Sequence, residues 1–238
     1  MGKFRHVFIV TYGRTGSTLL MNVLNGIEGY HIKGENADTA YHLSRAHASA
    51  AEMARRLAKG SGRDQPASPL YATRPVGYEA LRDEIGAAID RIVYATAEGE
   101  GPPRYRVFGF KDVSAEIREL EAYLDFLAAR YEDAAFIFLT RAHEELATSG
   151  FWRLFRRGQR ANRLRKMEER WKRFAYANES RCFALDYADL RPGAAPLEAL
   201  FAFLGEDPDR DAVAEIMKPR YSYPSSPLWK ARGEDDER

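Results

Sequence analysis

The sequence predicts an α/β fold with a mostly parallel central sheet flanked by helices on both faces. Three observations carry that expectation. Short apolar runs recur along the chain, Val7-Phe8-Ile9-Val10 and Ala135 to Leu139 being the most strand-like. Amphipathic helical stretches separate them, as parallel strands joined by crossover helices require. Polar residues with chemical potential follow directly on the strand ends, where such sheets bind ligands.

The first run leads into Thr11 to Asn25, the stretch around which the chain is organised. Leu20, Val23, Leu24 and Ile27 recur at the spacing of one buried helical face. Between strand and helix stand Gly13, Arg14, Thr15, Gly16, Ser17 and Thr18. Glycine lets backbone N–H groups turn inward, and a helix N-terminus adds unpaired donors and positive partial charge. A phosphate or sulfate is the natural occupant of such a turn.

Tyr30 to Lys33 is the next strand, followed by Gly34-Glu35-Asn36. Leu43, Ala46, Ala50, Met53 and Leu57 predict a helix over 38–58. Residues 59–76 are rich in Gly, Pro and Ser and read as an exposed loop, with Leu70-Tyr71 as its apolar anchor and a lid over a site as its use. Leu81, Ile85, Ile89 and Ile92 mark a helix over 77–96, and Glu98 to Pro103 a turn. Arg106 to Lys111 is a strand, and Ile117, Leu120, Leu124, Leu127 and Tyr131 stripe the helix after it. Arg141 to Phe155 reads as a helix, with a break near Gly158 before another over 160–178. Leu164, Met167, Trp171 and Phe174 form the buried face of that second helix. Arg181 to Leu185 is the last strand. Leu197, Leu200, Phe201 and Leu204 mark a helix ended by Gly205, and Asp211 to Met217 a shorter one. The charged end, 234–238, reads as a frayed tail.

Composition narrows the class. A chain of 238 residues with 45% hydrophobic content buries one sizeable core, so one domain over 1–238 is expected. A net charge of +1 supplies no global field toward nucleic acid or a membrane surface. The single cysteine, Cys182, excludes an internal disulfide and suits a reducing cytoplasm. Residues 1–12 show no leader pattern, and no stretch reaches the length of a membrane span. The five histidines show no metal-ligand spacing, so no metal is expected.

The first loop is not a nucleotide-triphosphate loop, because no Lys precedes Ser17 or Thr18. Arg14-Thr15-Gly16-Ser17-Thr18-Leu19-Leu20 resembles instead the 5′-phosphosulfate loop of sulfotransferases that use 3′-phosphoadenosine 5′-phosphosulfate (PAPS), with Arg14 where many members carry Lys. Arg141, at the end of Phe136 to Thr140, and Ser149 eight positions later resemble the family's 3′-phosphate motif. Arg141-Ala142-His143 replaces the Arg-Asp-Pro often found there. Tyr187-Ala188-Asp189-Leu190 resembles the Tyr-Glu-Asp-Leu segment whose Tyr lies near the adenine. The glycine-rich C-terminal segment of animal cytosolic members is missing, with Lys218, Arg220 and Tyr221 as substitutes.

The resemblance spans about residues 5–205 and implies a P-loop-like fold. It implies that Arg14 and the backbone of Thr15, Gly16, Ser17 and Thr18 hold the 5′-phosphosulfate, Arg141 and Ser149 the 3′-phosphate, and that Tyr187 lies near the base. The implied reaction is sulfuryl transfer to a hydroxyl of a carbohydrate or other small molecule. Such transfer needs an aligned acceptor, a base for its proton and positive charge on the leaving phosphate. By the same resemblance Glu35 is the base, Lys111 stabilises the bridging oxygen or orients the acceptor, and Arg14 meets the phosphate charge. Asp112 stands as a pair for Lys111 or as the base itself. A small-molecule kinase and a non-catalytic nucleotide-binding module are the competing readings. The first lacks a loop Lys and a placeable magnesium-holding acid. From Arg153 to Arg173 the chain holds ten Arg or Lys residues, read first as the solvated side of an amphipathic helix and second as a seat for an acidic acceptor.

Overall fold

The computed structural model describes residues 2–59, 66–100, 104–113, 119–148 and 150–218. In chain order they form β1 (His6–Thr11), α1 (Ser17–Asn25), β2 (Tyr30–Lys33), α2 (Thr39–Ala58), α3 (Tyr78–Tyr94), β3 (Ala95–Thr96), β4 (Gly99–Glu100), β5 (Val107–Val113), α4 (Leu120–Arg130), β6 (Ala134–Thr140), α5 (Arg157–Ala177), β7 (Cys182–Asp186), α6 (Ala195–Leu204) and α7 (Arg210–Met217). Five strands make one sheet in the order β2-β5-β1-β6-β7, and every pairing in it is parallel. β3 and β4 form a small antiparallel hairpin where the sequence predicts a turn.

β1 runs through the centre, and its residues are all buried. Side chains alternate between the two faces of the sheet. Val7 and Ile9 join Leu20, Val23, Leu24, Leu197, Leu200 and Phe201 beneath α1 and α6. Phe8, Val10 and Tyr12 join Leu124, Leu127, Leu164, Trp171 and Phe174 beneath α4 and α5. Helices therefore cover both faces, as a parallel sheet demands. Thr11 stands level with Val113 of β5 and Leu139 of β6, so the loops after these three strands open at one edge. Among the described residues, no helix is long and apolar enough to cross a membrane.

Two expectations change. Residues 141–155 do not form a helix; short 3-10 turns cover Glu145–Thr148 and Gly150–Leu154. Thr148 and Gly150 are weak helix formers, and Trp152 is drawn beneath the first loop, where its Nε1–H donates to the Gly13 carbonyl at 2.8 Å. α5 then starts at Arg157 and runs through Gly158, which sits in the first turn, before the backbone N–H groups enter the helical ladder. The second change concerns the expected lid. In its described part, 66–76, Tyr71 is exposed, and Arg74 lines a cleft with Leu57 and Ala58 at the far end of α2. That end lies about 30 Å along a 20-residue helix from Thr39, so these residues do not cover the strand ends.

Candidate active site

The loop after β1 is braced from below. Thr15 is fully buried, with its hydroxyl 2.5 Å from that of Thr11, and Thr11 donates onward to the Leu139 carbonyl at 2.8 Å. Arg14 (φ 75°) and Gly16 (φ 83°) both take the left-handed conformation, which turns the chain sharply into α1. Among the described residues no side chain caps α1, and its first turn holds no acid. Its N-terminal N–H groups therefore keep their positive character, with the exposed Arg14 beside them. A Cβ at Gly16 would lie 2.3 Å from the Tyr187 ring. Glycine is thus required twice, by φ and by the tyrosine packed against it.

Arg141 follows β6 and reaches back to this loop. Its NH1 donates to the Arg14 carbonyl at 3.1 Å, and its guanidinium lies 4.1 Å from the centre of the Tyr187 ring. Its Nε–H donates to Glu145 at 2.8 Å, and its backbone N–H to the Tyr12 hydroxyl at 3.1 Å. Tyr12 is itself buried and stacks on Trp171, with ring centres 5.4 Å apart. Its hydroxyl also donates to Glu168, whose Oε1 lies 2.9 Å from His143 Nε2. Burial, with the Glu168 carboxylate alongside, holds the Tyr12 phenol far above its usual pKa, so it stays neutral. Sequence reading singled out Arg141 and Tyr187 but missed Tyr12, whose hydroxyl bonds the Arg141 backbone, and Trp152, which donates to the Gly13 carbonyl. The parity of β1, which puts Tyr12 on the α5 face, is the signal that points to Tyr12. Ser149 lies outside the described residues.

On β5, Lys111 and Asp112 diverge. Lys111 is 8% exposed and shares a face with Gly109, while Asp112 lies on the side of Phe110. Lys111 Nζ donates to Glu35 Oε1 at 2.5 Å, so the residue after β2 meets the carboxyl-terminal part of β5. Asp112 instead accepts from the Tyr123 hydroxyl at 2.9 Å, which removes the Lys111–Asp112 pair considered from sequence. Burial raises the Asp112 carboxyl to about 6; the Tyr123 hydrogen bond opposes the rise, and the charges of Asp38 and Glu35 add to it. Glu35 does not cap α2. Asn36 does that work, its Oδ1 accepting the Ala40 N–H at 3.1 Å.

Lys111 stands two residues before Val113, whose side chain lies 3.8 Å from a Cβ built at Gly13. The Glu35–Lys111 pair and the first loop are therefore neighbours at one edge of the sheet. Arg14, Gly16, Arg141 and Tyr187 occupy one part of that edge, and Glu35 and Lys111 another.

Residues 6–209 match the sequence profile described as Sulfotransferase family. Among solved structures, a sulfotransferase domain from the curacin biosynthetic pathway shares the fold at a TM-score of 0.51 and 16% identity, over 92% of this chain and 80% of that one. A sulfotransferase from Mycobacterium tuberculosis H37Rv is 18% identical over 92% of this chain and 72% of its own, at a TM-score of 0.42. One from Alicyclobacillus acidocaldarius is 15% identical over 86% and 83%, at 0.43. No curated protein matches the chain significantly. The profile match runs from the start of β1 past the end of α6, and on it the chain belongs to the sulfotransferase family, whose chemistry is sulfuryl transfer.

Proposed function

We propose that this protein moves a sulfuryl group from PAPS to a hydroxyl of a carbohydrate or other small molecule by in-line displacement. The observation that carries this reading is Arg141, which touches the Arg14 carbonyl on one side and the Tyr187 ring on the other. Three segments far apart in sequence thus share one mouth. The residues present fit a doubly anionic nucleotide. The uncapped, acid-free start of α1 and Arg14 would hold the 5′ end, with the N–H groups of Thr15, Gly16, Ser17 and Thr18 as donors. Arg141 and Ser149 would hold the 3′-phosphate, and Tyr187 the adenine.

When bound, the donor supplies an electrophilic sulfur on a phosphate leaving group. The chain's residues do the rest. Glu35 takes the proton of the acceptor hydroxyl as its oxygen bonds to sulfur, while the bond from sulfur to the phosphate oxygen breaks on the opposite side. Lys111 already holds Oε1 of Glu35, which leaves Oε2 for that proton. Arg14, the α1 N–H groups and the Lys111 ammonium meet the charge that develops on the phosphate and bridging oxygens.

The test is thermal unfolding with adenosine 3′,5′-bisphosphate, AMP, or ATP with magnesium. A ligand at one hundred times its Kd stabilises the folded state by about 2.7 kcal/mol, or roughly 5–10 °C for a chain of this size. The bisphosphate should give that rise and the other two much less. Equal protection by ATP with magnesium would turn the reading toward a kinase.

A further inference from the structure

Arg141 stands past the end of β6 and before the 3-10 turn over Glu145–Thr148, so neither a strand ladder nor a helix fixes its backbone. Tyr12 does. Its hydroxyl accepts the Arg141 N–H at 3.1 Å, and lies 3.1 Å from the Arg141 carbonyl and 3.0 Å from Glu168 Oε1. The one phenolic proton serves one of those two acceptors at a time. Two residues on, His143 Nε2 meets the same Glu168 oxygen at 2.9 Å. Arg141-Ala142-His143 is therefore clamped at both ends, by Tyr12 and by Glu168 of α5. The Arg141–Glu145 pair is no substitute anchor, because the Glu145 side chain is 51% exposed and such pairs contribute little.

The other end of Tyr12 belongs to the first loop. Its carbonyl accepts the Thr15 hydroxyl at 3.2 Å, and Gly13 follows it in the chain. The ring between carbonyl and hydroxyl is fully buried and firmly seated. Trp171 stacks on it with the planes 10° apart, and Trp152 meets it edge-on with centres 6.0 Å apart. Trp152 in turn donates to the Gly13 carbonyl.

One residue thus braces both anion seats, the first loop through its carbonyl and Arg141 through its hydroxyl. A tyrosine side chain is rigid, so the step between the seats is set by a single ring. A nucleotide phosphorylated at both ends of its ribose gains from two seats only when their separation is fixed beforehand.

We infer that Tyr12, anchored by Glu168, is a positioning residue that sets the spacing of the two seats. It thereby sets the preference for a nucleotide carrying both 5′ and 3′ phosphates over one carrying the 5′ phosphate alone. Being fully buried, Tyr12 reaches no ligand itself and acts through Arg141. The inference rests on the donor reading above.

The test is calorimetric titration of the full chain with adenosine 3′,5′-bisphosphate and with AMP. Tyr12→Phe keeps the ring and its stacking and removes the hydroxyl. Its bisphosphate affinity should fall about fivefold, the usual effect of one hydrogen bond, while AMP affinity stays within about twofold. Added to Arg141→Ala, Tyr12→Phe should bring no further loss, because a residue that acts through Arg141 falls silent once the guanidinium is gone. A brace of the core alone would weaken both ligands together, or would add its loss to that of Arg141→Ala, and either result overturns the inference. An unchanged preference in folded Tyr12→Phe overturns it too. If Tyr12→Phe does not fold, Glu168→Ala, which frees the far end of the same clamp, decides by the same criteria. A wild type that binds the bisphosphate no better than AMP refutes the donor reading itself. A wild type that prefers the bisphosphate, with variants that keep that preference, refutes only the spacing role of Tyr12.

Discussion

Lys111 and Asp112 are adjacent in sequence and act on opposite faces of the sheet. The ammonium reaches Glu35, whereas the carboxyl turns under the Tyr123 hydroxyl in the aromatic layer below α4. The two-residue period of a strand makes the separation compulsory. It also sorts the acids by use. Glu35 is exposed at the mouth, and Asp112 is sealed away from any acceptor.

Asp112 should make the protein less stable at neutral pH than at mildly acid pH. Its folded value of about 6 lies above the ordinary 3.8, so the folded chain holds its proton more tightly than the unfolded chain does. Stability from this group is therefore greatest below about pH 4 and falls as pH rises through 6. The full difference, near two pH units, corresponds to roughly 3 kcal/mol. Asp112→Asn keeps an acceptor for Tyr123 and has no charge to bury. In denaturant titrations its advantage over wild type should grow from near zero at pH 4 to about 2–3 kcal/mol at pH 7.5. A difference that does not vary with pH would show that the carboxyl is ordinary.

Much of this was legible because strand ends are where parallel sheets work. The apolar runs at 7–10 and 135–139 located two central strands, and Arg14, Glu35, Lys111, Arg141 and Tyr187 all fall on loops or strand ends at one edge. The path from 141 to 155 was not legible, because its conformation is set by a tertiary event: Trp152 fills the space beneath Gly13, and no local periodicity encodes that. The role of 66–76 was hidden for a related reason, since composition reports exposure but not which end of α2 the segment joins. Nothing in the sequence names a partner for Tyr12. Only the folded chain shows its hydroxyl holding the Arg141 backbone.

Gly16→Ala should cost stability through two separable terms. The left-handed φ is worth about 1–2 kcal/mol against any Cβ, and the new methyl would collide with the Tyr187 ring. Adding Tyr187→Ala removes the collision but not the backbone strain. Melting curves of the two single variants and the double should thus show a favourable coupling of at least about 0.5 kcal/mol. Strict additivity would mean that the ring does not rest on Gly16 in solution.

Arg141→Ala separates a phosphate ligand from a loop brace. As a ligand for the 3′-phosphate its loss should cost roughly 1.5–3 kcal/mol, about 10–100-fold in affinity for adenosine 3′,5′-bisphosphate. Adenosine 5′-phosphosulfate, which lacks the 3′-phosphate, should bind almost unchanged. Calorimetry with both ligands checks this. An equal loss for both would assign Arg141 to holding the Arg14 carbonyl, the contact already made in the folded chain.

Glu35→Gln asks whether the pair with Lys111 is catalytic. Glutamine keeps the size of the side chain and an oxygen for Lys111, yet takes no proton at neutral pH. Turnover should fall by roughly 10²–10⁴, the usual worth of a general base, once an acceptor is found by screening hydroxyl compounds with labelled donor. Bisphosphate affinity should hold, because the partner of Glu35 is Lys111 on β5. Stability should drop only slightly: the Glu35 side chain is 55% exposed, and ion pairs of that exposure contribute about 0–1 kcal/mol. Lys111→Met should also lose turnover, and with a larger loss of stability, since its chain is buried and its methylenes pack. Near-normal turnover in Glu35→Gln would clear Glu35 as the base. His143 would not replace it from its present place, because it pairs with Glu168 on the α5 face, the side of the sheet away from Lys111. A steep fall in stability with chemistry intact would instead make the Glu35–Lys111 pair a strut between β2 and β5.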